Sequence, residues 1–154
     1  MKTKLLFLLL FFVGLISCEK DKTPDNISEY PVEVSFEKYD ITGAPCNWKV
    51  FEHDKVIAIN SDKELQDYMV CTDTVYPQIN FSEYSLLLAG GVTTSSPAEV
   101  LETRLTQTLE NEYVLYVKVR RGDALTLGYW SIAITTQKLF ENAVITLDVE
   151  QVDN

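Results

Sequence analysis

Hydrophobic and polar residues alternate along most of the second half of the chain. In Glu112–Arg120, Tyr113, Leu115, Val117 and Val119 fall on one side. Val114, Tyr116, Lys118 and Arg120 fall on the other. A period of two is the signature of a strand with one buried face. The same pattern runs through Tyr129–Thr135 and Ala143–Glu150, and earlier through Val32–Glu37, where Val32, Val34 and Phe36 oppose Glu33, Ser35 and Glu37. Lys55–Asn60 is a further strand candidate, after a turn at Glu52-His53-Asp54. Tyr84–Gly91 is apolar at odd and even positions alike, as a central strand covered on both faces would be. Glu110-Asn111 and Gly122-Asp123 carry turn chemistry.

Two segments break the strand rhythm. Ser61-Asp62-Lys63-Glu64 has the form of a capping box, in which the Ser61 hydroxyl accepts from the amide three residues on and Glu64 reaches back. Leu65, Tyr68 and Met69 follow at helical spacing, which predicts a short helix over 62–70. Ser96–Glu110 fits two templates. Ser96, Pro97 and Glu99 resemble a helix start, with Leu101, Leu105 and Leu109 four apart. The same leucines also fit period two with Thr103 and Gln107, and three threonines favour strand. We read 98–109 as strand. The sum is a mostly β fold, a sandwich or partly open barrel of about seven strands with one short helix.

The N-terminal pattern is different in kind. The apolar run Leu5–Ile16 is well short of the roughly 20 residues that span a bilayer. Lys2 and Lys4 precede it and the small Ser17 ends it, which makes it a secretory signal. Leu15-Ile16-Ser17-Cys18 resembles the bacterial lipobox. That resemblance implies cleavage before Cys18, a diacylglycerol thioether and acyl chains such as palmitate on that cysteine, and a membrane anchor there. Residues 1–17 are then the signal peptide, and 18–30, charged and with no hydrophobic period, a flexible tether. Residues 31–154 form a single domain. The charged residues after Cys18 favour an outer-membrane lipoprotein, on its periplasmic or cell-surface side.

Charge and cysteines narrow the picture further. The chain carries a net charge of −10, and loss of Lys2 and Lys4 makes it two units more negative. So acidic a chain repels nucleic acid and anionic head groups. Cys46 and Cys71 remain once Cys18 is lipidated. Outside the cytoplasm a disulfide is the first reading, with two buried thiols as the alternative. A metal site lacks ligands, since His53 is the one histidine.

Candidate chemistry is sparse. A lone His53 in a turn cannot assemble a nucleophile–histidine–acid triad without partners that nothing in the sequence supplies. Asp62, Glu64 and Asp67 at the helix start complement its dipole rather than forming a catalytic carboxylate pair. No calcium loop is present, and Gly90-Gly91 leads into no phosphate-binding helix. Arg121-Gly122-Asp123 matches an adhesion tripeptide but reads as strand and turn. Asn26-Ile27-Ser28 and Asn80-Phe81-Ser82 match a glycosylation pattern that a bacterial lipoprotein would not use. Trp48 and Trp130 could stack on sugars, but the alternation of Trp130 with Ile132 and Ile134 points to core. We therefore expect no catalytic residues and no cofactor.

Several stretches together resemble the C-terminal domain of protease-complex-assisting (PrcB-type) lipoproteins. They are Ile79-Asn80-Phe81-Ser82, Leu86-Leu87-Leu88, Gly90-Gly91 and Ser131–Lys138, within residues 55–152. The family's glycine-rich turn after the central strand is replaced here by Val92–Glu99. The resemblance implies a non-enzymatic envelope lipoprotein that binds or assists another envelope protein, in some members a protease complex. It transfers no functional residue. The alternative is a module that binds glycans or another soluble ligand at the cell surface.

Overall fold

The computed structural model describes residues 30–41, 44–72 and 75–153. The expected signal peptide, Cys18, Asn26 and the expected tether up to residue 29 lie outside them. Among the described residues there are ten strands and one helix, mostly β with no closed barrel. The strands are β1 (Val32–Glu33), β2 (Phe36–Lys38), β3 (Cys46–Trp48), β4 (Val56–Ile59), β5 (Met69–Cys71), β6 (Tyr84–Thr93), β7 (Ser96–Leu109), β8 (Glu112–Ala124), β9 (Gly128–Gln137) and β10 (Val144–Val152). The helix α1 is Asp62–Tyr68.

Two four-stranded sheets face each other. Sheet A has the order β1-β7-β8-β10, antiparallel except that β10 runs parallel to β8. Sheet B, in the order β2-β9-β6-β4, is antiparallel throughout. Their inner faces bury Leu105, Leu115, Val117 and Val119 against Leu87, Ala89, Trp130 and Ile134. The other face of sheet B is also covered. Leu86, Leu88, Ile57 and Ile59 pack against Leu65 and Met69 beneath α1 and against Cys46 and Cys71 of a small β3–β5 ribbon. Apolar residues at every position of Leu86–Ala89 are therefore needed, because β6 is the layer between two cores.

The strand count exceeds the expected seven because short strands escape a periodicity reading. Val32–Glu37 is not one strand. It pairs with β7 in sheet A as β1, crosses at Val34-Ser35, and continues in sheet B as β2 against β9. Val34 and Phe36 point inward as expected, but Val32, at the start of β1, is exposed, so the alternation holds only from Val34 onward. The helix stops at Tyr68, two residues before the expected end, because Met69 turns to extended geometry to enter β5. The capping box forms in part. The Glu64 amide donates to Ser61 Oγ (3.3 Å), while the Glu64 carboxylate accepts from the amide of Asn60 (2.6 Å), one residue earlier than anticipated.

The ambiguous segment is strand. β7 and β8 form a long hairpin across the Glu110-Asn111 turn, with register shifts between Ser96 and Ala98, Val100 and Glu102, and Gln107 and Leu109. Gly122-Asp123 is not a turn: it belongs to β8, and the chain reverses after Ala124. A Cβ on Gly122 would lie 2.1 Å from the Ser96 carbonyl oxygen, so glycine is required there by close strand approach. Gly90 and Gly91 have the same kind of role. A Cβ on Gly91 would lie 2.8 Å from the Trp130 ring, and one on Gly90 3.0 Å from the Phe51 ring.

Candidate binding surfaces

Three hollows adjoin one another along β9. The largest, about 580 Å³, lies at its C-terminal end. Phe36, Tyr39 and Tyr84 line it with Glu37, Gln78, Asn80 and Gln137. The register sets these contributions: Glu37 sits opposite Thr135, and Tyr84 opposite Gln137. The loop before β6 closes the far side. Asn80 shapes it, because its Oδ1 accepts from Ser82 Oγ (2.6 Å) and its carbonyl accepts from the Tyr84 amide (3.0 Å). The Asn80-Phe81-Ser82 stretch is thus a turn that starts β6.

The middle hollow, about 290 Å³, shares Tyr39 with the first and lies against Val100, Thr103 and Ser131–Ile134. The third, about 330 Å³, shares Ser131 with the second and is lined by Trp48, Val50, Phe51, His53 and Tyr129. His53 lies in the expected turn region and is half-buried. Its ring lies 6.1 Å from Phe51 edge-on and 6.0 Å from Tyr129. The turn beside it is made by Asp54, whose φ of 61° is left-handed, and whose amide donates to the Gly90 carbonyl (2.9 Å). Large apolar surface reaches solvent here: Tyr129 is 64% exposed and Val50 99%, and Leu125 (97%) and Leu127 (60%) precede Tyr129 in the chain. The two tryptophans divide. Trp130 is buried between the sheets, as its alternation implied, whereas Trp48 is half-buried 6.2 Å from the Tyr39 ring.

The opposite side of the molecule is charged. All three arginines of the chain and Lys118 lie on β7 and β8. Arg104 stacks 4.4 Å over the Tyr116 ring and pairs with Glu102 (3.0 Å); Lys118 pairs with Glu150 (2.8 Å), which also accepts from the Tyr116 hydroxyl. Arg120 pairs with Glu99 and Arg121 with Asp153. Hydrogen bonding to the Glu150 carboxylate raises the pKa of Tyr116 and of Lys118. The Lys118 ammonium and the Tyr116 hydroxyl in turn hold the Glu150 carboxyl below its usual range. These groups sit on a solvent-exposed face, and the perturbed titration follows from their ion pairs and hydrogen bonds with one another. Arg121-Gly122-Asp123 lies inside this paired strand, with Arg121 already held by Asp153.

Cys46 and Cys71 face each other in the β3–β5 register and are joined by a disulfide. Among the described residues, no cluster of three histidine, cysteine or acidic side chains could hold a metal, and no helix is long and apolar enough to cross a membrane. Sequence reasoning singled out Trp48 and His53 near the third hollow. It named Asn80 only within motifs, not as a binding residue, and missed Tyr39 and Gln78, which stand in segments without periodicity. The one available signal was the cysteine pair: placing Cys46 opposite Cys71 would have located the ribbon that brings Trp48 over sheet B. No family model, curated protein or solved structure matches the chain.

Proposed function

We propose that this chain is a non-enzymatic lipoprotein of the outer membrane, held by an acylated Cys18, that binds or assists another envelope protein through the furrow along β9. The observation that carries the reading is the run of three adjoining hollows with Val50 and Tyr129 exposed at its end, and exposed Leu125 and Leu127 in the chain just before Tyr129. Such patches on a soluble face mark partner sites. The resemblance to protease-complex-assisting lipoproteins leads to the same reading, with a protease complex as one such partner. A photo-crosslinking residue at position 129 should give a discrete protein adduct in intact envelopes, and the same residue at Thr106 on sheet A should not. Equal labelling at both positions, or none at 129, sinks the proposal. Palmitate incorporation should disappear in Cys18→Ala; continued labelling would remove the anchor.

A second reading has its own support. The largest hollow combines three aromatic rings with amide and carboxylate groups, the mix that grips sugars through stacking and hydrogen bonds. Under this reading, Tyr84→Ala should weaken binding of envelope glycan fragments by about tenfold or more, on the order of 1.4 kcal/mol, read by calorimetry. Undetectable glycan binding by the unaltered protein would dismiss it.

A further inference from the structure

β9 is paired along its whole length on one side and only in part on the other. β6 covers Gly128–Gln137, whereas β2 reaches only Ile134–Thr136. The Tyr39 amide adds one bond to the Ala133 carbonyl (2.8 Å), and no strand continues that line among the described residues. Main-chain groups alternate direction in an antiparallel strand. Since the Ala133 carbonyl points away from β6, those of Tyr129 and Ser131 do too, and among the described residues they are left at an open edge. The facing strand repeats the situation. The Leu105 carbonyl of β7 accepts from the Val34 amide (2.8 Å), so Thr103 also turns its main chain toward the gap, and β1 ends the pairing at Gln107 and Thr106.

The middle hollow occupies this gap and wraps around the edge of β9. Ser131, Ala133 and Tyr39 line it from one face of sheet B, and Ile132, Ile134, Val100 and Thr103 from between the sheets. Two of its lining residues, Tyr39 and Thr103, carry buried hydroxyls that have no hydrogen-bond partner among the described residues. Buried polar groups in folded proteins are nearly always paired, and a row of open strand amides is a template for another strand.

From this geometry we infer that the edge of β9 at Tyr129–Ser131 takes an extended polypeptide strand of a partner protein, added antiparallel to β9 in line with β2. The added strand bonds the main-chain groups of Tyr129 and Ser131. It turns alternate side chains toward Val100 and Thr103 on one side and toward the Trp48–Tyr129 hollow on the other. Charge selects the occupant. With a net charge of −10, a second copy of this chain is repelled, and a segment flanked by basic residues is attracted. The inference rests on the protein-binding reading above and specifies how the partner is held.

The test uses the full-length protein in detergent micelles, with amide exchange read by NMR. The probe is an alternating valine–threonine nonapeptide with a lysine at each end, compared with the same peptide ended in glutamates. The lysine-ended peptide at about 1 mM should slow exchange of the Tyr129 and Ser131 amides roughly tenfold. It should leave those of Trp130 and Ile132, already directed at β6, unchanged. Ser131→Pro, which removes one outward amide at an edge position that tolerates proline, should abolish the effect. Absence of slowing in the unaltered protein overturns the inference whether or not the variant folds. Equal slowing by both peptides overturns the basic occupant. Slowing without peptide that grows with protein concentration overturns it in favour of a second copy. Loss of the position-129 adduct with intact peptide protection would instead remove the partner reading while leaving the edge able to accept a strand.

Discussion

The outer faces of the two sheets are built from similar ladders, antiparallel except for β10 in sheet A, and end in opposite ways. On sheet A, the side chains of β8 that point outward are Val114, Tyr116, Lys118 and Arg120. Tyr116, Lys118 and Arg120 meet Glu150, Arg104 and Glu99 in a lattice of charges that remains in water. On sheet B, the outward side chains of β6 are Leu86 and Leu88, and they disappear beneath α1 and the disulfide-linked ribbon. One face is finished by solvent and the other by more protein. The seams where that extra protein stops, along β9, are where the hollows and exposed rings lie. The candidate site thus follows from incomplete coverage of an apolar sheet face, while on the charged face Lys118, Arg120 and Arg121 are each held by a carboxylate.

Substitutions should separate the two faces by size of effect. Leu88→Ala removes a fully buried side chain between sheet B and the helix layer. It should cost about 2–5 kcal/mol in urea unfolding, where the midpoint falls while the slope stays constant. Replacing Cys46 and Cys71 together by alanine releases the ribbon. A loss of about 3 kcal/mol is expected from freeing the unfolded chain, and calorimetry at matched pH will show it; an unchanged melting temperature would mean that the ribbon adds nothing to sheet B. Gly91→Ala pushes a methyl into the Trp130 ring and should cost about 1–3 kcal/mol, with a change in tryptophan fluorescence that reports the displaced indole. Glu150→Gln, on the solvated face, should leave the melting temperature nearly unchanged at neutral pH.

That last variant has a pH signature. The Glu150 carboxyl is held below its ordinary value, so its contribution is present above the unfolded carboxylate pKa and is lost as pH falls through the lower folded one. Lys118 is raised, so its contribution is present below the unfolded lysine pKa and is lost as pH rises through the folded one. Stability of the unaltered protein should therefore decline slightly at both extremes relative to Glu150→Gln. Coincident curves would show that the lattice adds nothing.

Much of this division was legible in the sequence. Strict alternation in β8 and β10 announced a half-solvated sheet, and continuous apolarity in Leu86–Ala89 announced a covered one. Threonines decided β7 correctly against a helix. What was not legible has physical causes. β3 and β5 are three residues each, too short to show a period, and are held by a disulfide rather than by pattern. The crossing from β1 to β2 leaves the inward positions in phase, so nothing in the pattern reports the change of sheet. The largest hollow depends on a loop, Gln78–Asn80, folding back over β9. An open edge is defined by the pairing that a strand lacks, which no local pattern records.

The parallel pairing of β10 has a consequence for how the chain acquires this structure. The β7–β8 hairpin is local and can close in about 1–10 μs. β10 can join β8 only after the chain has left sheet A, laid β9 into sheet B and returned. β1 and β2 must likewise wait for β7 and β9, far downstream. Topologies dominated by such distant pairings fold in roughly milliseconds to seconds. Until Val144–Val152 arrives, the edge of β8 that carries Leu115 and Val117 stands open. The interval between synthesis and the docking of this strand is when the chain is most prone to aggregate, and when an escort would matter most to it.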